Sequence, residues 1–179
     1  MKFKESKLAH KLLDGMKGIE IGGAAHNPFN LDTINVDVSN DNPIYMVEQR
    51  AYGNDALPVD VIANGDNLPF DDKSFDFVIS SHVLEHFINP IKALIEWERV
   101  ARKYIFMIIP HAVRTGEAQP MATLPVLMKA YEDGIPNDND RHHYGYTPES
   151  MREILRGYDF DIYDPDDKVG NGFTVVIRL

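Results

Sequence analysis

Phe75-Asp76-Phe77-Val78-Ile79 runs directly into Ser80-Ser81-His82-Val83-Leu84-Glu85-His86. The first five residues form a short, mostly apolar run of the kind that a strand buried on both faces shows, and the run breaks abruptly into small and titratable residues. Similar runs lie on either side: Gly18 to Ile21, Ile34 to Val38, Val59 to Ala63 and Tyr104 to Ile109. Phe160 to Tyr163 and Phe173 to Leu179 complete a predicted sheet of six to seven strands.

Helical patterns fall between these runs. Leu8, Leu12 and Leu13 mark an amphipathic segment ahead of the first strand. Asn89-Pro90 reads as an N-cap with proline in the first turn, followed by Ala93, Leu94, Trp97, Val100 and Ala101 at helical spacing. Thr147-Pro148-Glu149 opens another helix in the same way, with Met151, Ile154, Leu155 and Tyr158 on one stripe and Gly157 near its end. Alternating strands and helices predict an α/β fold: a Rossmann-like, doubly wound, mostly parallel sheet with helices on both faces. Such sheets bind ligands beyond the carboxyl ends of their strands, where the strand order reverses.

Composition narrows what the fold does. The 179 residues, 44% of them hydrophobic, supply one core and fall short of two, so residues 1–179 are read as a single domain. No stretch is apolar for long enough to span a bilayer, and residues 1–13 interleave charges with apolar residues where a signal peptide carries an unbroken apolar block. No membrane association and a cytoplasmic location are therefore expected. The absence of cysteine removes disulfides, thiolate zinc sites and thiol nucleophiles. A formal charge of −10 disfavours nucleic acid, whose phosphates need clustered Lys and Arg. A small-molecule or sugar partner fits better.

The residues just after each strand carry the chemistry. Glu20-Ile21-Gly22-Gly23-Ala24-Ala25-His26 follows the first strand with small residues that let a ligand approach the backbone, as any tight turn also does. The second strand ends at Asp37, where a carboxylate can accept both hydroxyls of a ribose or simply cap the next turn. The third runs into Asn64-Gly65-Asp66-Asn67-Leu68-Pro69-Phe70, in which an amide can pair with the edge of a purine.

Taken in order, Ala63 to Phe70, Ser74 to His86 and Glu98-Arg99-Val100 resemble the class I S-adenosylmethionine-dependent methyltransferases, in particular the type 11 subgroup. The likeness covers about residues 18–110, with a weaker echo at Tyr146-Thr147-Pro148-Glu149. It implies S-adenosylmethionine as cofactor, with Glu20, Gly22 and Gly23 at its methionine end, Asp37 at the ribose and Asn64 with Gly65 at the adenine. Ser80 and His82 would border the sulfonium, and His86 would pack beneath the loop. The family loop carries three glycines at alternate positions, and this chain has Ala24 and His26 at the second and third. Asn64 stands where aspartate is more common. The segment between the first two strands is too short for a full helix.

Methyl transfer to an oxygen needs a base, and imidazole titrates in the right range. Of seven histidines, His111 follows the fifth strand, and His142 and His143 lie further on. His111 and His143 are the candidate catalytic bases. Residues 111–146 are too long for a simple connection and read as a substrate-facing lid; a surface insertion whose histidines cap turns is the plainer alternative. O-methylation of a small-molecule or carbohydrate acceptor is the resulting expectation, with no metal assigned. Two other readings compete: a non-catalytic cofactor- or partner-binding module, and a zinc peptidase using His82, Glu85 and His86 as H-x-x-E-H. A metal held by His111, His142 and His143 is a further arrangement that the spacing does not demand.

Overall fold

The computed structural model describes residues 5–24, 29–40, 46–47, 50–51, 55, 57–116, 118–136, 141–164 and 172–179. His26, Asn27, Pro28 and the run 138–140 lie outside the described residues. Seven strands, β1 (Gly18–Ile21), β2 (Thr33–Asp37), β3 (Val61–Ile62), β4 (Phe75–Ser81), β5 (Ala101–Pro110), β6 (Asp159–Tyr163) and β7 (Gly172–Arg178), form one sheet. Their order is β3-β2-β1-β4-β5-β7-β6. The first five are mutually parallel, while β7 runs antiparallel to both β5 and β6. From β1 the chain builds outward through β2 and β3, then returns to place β4 on the opposite side of β1. The switch point is thus between β1 and β4, and a crevice opens there at the strands' carboxyl ends.

The predicted strand over 59–63 is shorter in the structure. Only Val61 and Ile62 pair, with Val36 and Asp37, because β3 is an edge strand and Ile62 faces outward. The central strands are buried on both faces, as their unbroken apolar runs require. Val78, Ile105 and Met107 join one apolar cluster and Phe77, Ile79, Phe106 and Ile108 the other, so alternate residues of β4 and β5 serve opposite faces.

On the first face lie α2 (Pro90–Val100), α4 (Leu124–Asp133) and α5 (Pro148–Ile154). Asn89 caps α2 by accepting from Lys92 N at 3.1 Å, and Thr147 with Ser150 forms a capping box at α5. The α5 stripe buries Met151, Ile154 and Leu155 but not Tyr158. The helix stops at Ile154, Gly157 turns the chain at φ +103°, and the Tyr158 hydroxyl instead donates to Glu98 Oε2 at 2.9 Å. The second face is covered by α1 (Ser6–Leu13), through Ala9 and Leu13, and by Phe29 and Leu31 from the β1–β2 connection. Phe29 packs edge-on against Phe106 with centroids 6.2 Å apart. No helix occurs among the described residues of that connection, and Phe29 does part of what a crossover helix does, its burial contributing about 1.5–3 kcal/mol.

The segment after β5 forms α3 (Ala112–Thr115) and α4, then returns so that Tyr146 pairs with His111 and Gly145 with Met121. Leu127 and Ala130 of α4 are buried against the body of the domain. The excursion is therefore anchored at both ends and along one helix.

Candidate active site

At the carboxyl ends of β1 to β4 lies an open cleft with about 670 Å³ of empty volume. Gly22, Asp37, Asn64, Gly65, His82 and His86 are among its lining residues.

The loop after β1 is held from both sides. Asp37 Oδ2 accepts from Ala24 N at 2.9 Å, while its Oδ1 accepts from Val38 N at 2.7 Å. Asn35, one pleat back on β2, donates from Nδ2 to Ala24 O at 2.8 Å and to Pro58 O at 3.1 Å. Gly22 adopts φ +71°, and a Cβ there would stand 2.4 Å from Val83 Cγ2. The fold itself demands this glycine, so Gly22→Val would disturb the loop whether or not a ligand touches it. Ala24 takes φ +47° where glycine would be unstrained. His82 is a second strained residue at the cleft, with φ +56°, its N–H donating to Ile108 O at 2.9 Å. Its Nδ1 lies 3.1 Å from Ser81 Oγ.

The loop after β3 is clamped by α2. Trp97 Nε1 donates to Gly65 O at 2.9 Å, and Arg99 donates to Phe70 O and Leu68 O while pairing with Glu96 and Asp72. This fixes Asn64 at the cleft. Its Oδ1 is buried with no hydrogen-bond partner among the described residues. An unpaired buried carbonyl oxygen is costly, and a ligand's amino group would satisfy it.

Glu20, Gly23 and Ser80 are not among the residues lining the cleft; all three are buried beneath it. Burial pushes the Glu20 carboxyl up from its ordinary 4.5 to about 8. At neutral pH the folded chain holds this proton and the unfolded chain does not. Stability is thus full below about pH 4.5 and is lost as pH rises to about 8, by on the order of 5 kcal/mol at most. Glu20→Gln should remove that slope, so the variant overtakes the wild type in denaturant titrations at pH 8. A wild type equally stable at pH 5 and pH 8 would mean that Glu20 folds ionised.

His111 is half-buried with its ring edge-on to Phe173 at 5.9 Å, and it does not line the cleft. His143 is also half-buried, its N–H donating to Glu85 O at 2.7 Å. The zinc-peptidase arrangement lacks its helix: His82 is left-handed and Leu84–His86 is a single 3-10 turn, so His82 and His86 do not project from one α-helix. Nor do His111, His142 and His143 converge. The metal-competent cluster among the described residues is Glu85, His86 and His142. The sequence pairs Glu85 with His86 in one motif and groups His142 with His111 and His143 in another. Asn35 escapes the sequence reading, although a polar residue inside an apolar strand is the available signal.

A mostly parallel seven-stranded sheet with a lined cleft at its switch point defines a Rossmann-like ligand-binding domain. Residues 18–108 match the family model for a methyltransferase domain of type 11. The chain belongs to this family of methyltransferase domains. A curated, uncharacterized protein of Methanocaldococcus jannaschii is 38% identical over 90 residues, which cover 49% of this chain and 40% of that protein. The match thus spans less than half of the relative's length. Among solved structures, a methyltransferase from Aquifex aeolicus is 16% identical, covering 98% of this chain and 89% of that one with a TM-score of 0.58. One from Thermotoga maritima is 20% identical, covering 97% and 86% with a TM-score of 0.56. A third, from Haloferax volcanii, was solved in complex with the Trm112 methyltransferase activator; it is 16% identical over 98% and 88%, with a TM-score of 0.56. At these identities the likeness is one of fold. No helix among the described residues is long and apolar enough to cross a membrane.

Proposed function

We propose that the cleft binds S-adenosylmethionine and that the chain directs its methyl group to an oxygen of a small-molecule or carbohydrate acceptor in the cytoplasm. The observation that carries the first half is the convergence of Gly22, Asp37, Asn64, Gly65 and His82 on one cleft, with the unpartnered Asn64 Oδ1 among them. Asn64 and Gly65 take the adenine, Asp37 the ribose hydroxyls, and Gly22 with Gly23 the methionine end. Each carboxylate oxygen of Asp37 has a second lone pair beyond the backbone N–H it already accepts, so the loop contacts and a ribose are compatible. Glu20 acts from beneath the loop. His82 borders the sulfonium, and Ser80 lies buried beneath it.

The bound donor supplies an electrophilic methyl carbon on a sulfonium. What remains for the protein is to align the acceptor, exclude water and remove a proton. Residues 111–146 cover the acceptor side, and His111 or His143 takes the acceptor's proton. His111 follows β5 three residues after Ile108, which pairs with Ser81 next to His82. The charge of −10 favours an acceptor without phosphates. Calorimetric titration with S-adenosylhomocysteine tests the cofactor half and should give one site per chain. No heat and no thermal shift at millimolar ligand would remove the cleft assignment.

A further inference from the structure

The 3-10 turn after β4 and the return strap at 141–146 meet at a cluster of titratable side chains at the edge of the cleft. Glu85 is fully buried on the turn, His86 follows it, and His142 comes from the strap. One ligand atom from each lies within 4.8 Å of the others, and Glu85 Oε1 stands 3.9 Å from His142 Nε2. That spacing is too long for a direct hydrogen bond. Two ligands about 2.1 Å from a shared tetrahedral ion sit about 3.4 Å apart, so small side-chain movements bring these atoms to coordinating distance. The two imidazole rings meet edge to face at 88° with centroids 4.6 Å apart. A second observation points the same way. The Tyr146 hydroxyl, also fully buried, has no hydrogen-bond partner among the described residues.

We propose that Glu85, His86 and His142 bind one divalent transition-metal ion, with zinc matching two imidazoles and a carboxylate. The ion ties the strap to the turn. Two contacts already join them there: His143 N–H to Glu85 O at 2.7 Å, and the Tyr144 hydroxyl to Ile88 O at 3.1 Å. A metal neutralises the Glu85 charge in place and fixes the excursion beside the wall of the cleft that His86 lines. The site rests on this cluster alone and does not depend on the cofactor assignment.

The test uses the full, untagged chain, stripped with chelator and dialysed, then titrated with Zn²⁺ and, as a spectroscopic probe, Co²⁺. One equivalent of Zn²⁺ should bind, Co²⁺ should give the strong visible absorption of a low-coordinate site, and Zn²⁺ should raise the melting temperature. His142→Ala, at a half-buried position, should weaken binding at least about 100-fold and abolish the Co²⁺ band and the thermal shift. His10→Ala, on α1, should change none of these, and circular dichroism checks that each variant is folded. Absence of stoichiometric uptake by the wild type overturns the proposal. So does uptake undiminished in both His142→Ala and His86→Ala. Loss of stability in His142→Ala without metal bound to the wild type also overturns it, and leaves His142 a packing role beside Glu85.

Discussion

Asp37→Ala should weaken S-adenosylhomocysteine binding by at least about a hundredfold while the sheet remains folded. Two hydrogen bonds from ribose hydroxyls to a carboxylate are lost, at about 1.5–3 kcal/mol each. The structure adds a second route to the same loss, because Asp37 Oδ2 also holds Ala24 N. Asp37→Asn separates the two. It keeps one acceptor oxygen in place and removes the charge, so its affinity should fall between wild type and Asp37→Ala. Calorimetry on folded protein reads the dissociation constants, and circular dichroism checks the fold. Equal affinity in all three proteins would take Asp37 out of the site.

The fold was legible because each strand of the parallel core is an apolar run flanked by turn chemistry. Phe75 to Ile79 and Tyr104 to Ile109 are buried on both faces, and such burial leaves no alternation that an amphipathic helix could imitate. The two local caps at Asn89 and Thr147 were readable for a similar reason, since capping is decided within four residues. The antiparallel insertion of β7 between β5 and β6 was not readable. Strand order depends on which neighbour buries Val175 and Ile177, and no local pattern in Gly172–Arg178 encodes that. Tyr158 misled for the opposite reason. It continues the helical stripe in sequence, but the helix has already ended.

The site divides along the same line. Gly22 and His82 directly follow β1 and β4, Asp37 ends β2, and Asn64 with Gly65 come within three residues of β3, so the strand register carries them to one cleft. The Glu85, His86 and His142 cluster needs the excursion after β5 to fold back across more than fifty residues. Spacing grouped His82 with His86 and His142 with His143, because neighbours in sequence are what a motif can see. The turn's 3-10 geometry and the bond from His143 N–H to Glu85 O regroup them. Glu20 shows a further limit: a strand-end carboxylate reads as a ligand contact, and only burial reveals that its pKa is raised.

Replacing the proton-accepting histidine should lower kcat about 10²–10⁴-fold, the usual range for general base catalysis, with little change in cofactor affinity. His111→Ala and His143→Ala are the two variants, and the base is the one whose loss is rescued by raising pH, since hydroxide then replaces the missing imidazole. The effect should fall on kcat because the proton moves in the transition state and not in the ground state. Structural disturbance predicts a different pattern. His143 contributes a backbone bond to Glu85 that alanine retains, so a fall in melting temperature in His143→Ala would trace to its side chain's packing. His111 packs on Phe173, and His111→Phe keeps that packing while removing the base. A His111→Phe variant as stable as wild type and slower by the full factor assigns the proton to His111. If His111→Phe and His143→Ala both turn over at the wild-type rate, the acceptor needs no base from either residue, and alignment in the cleft is the whole of the catalysis.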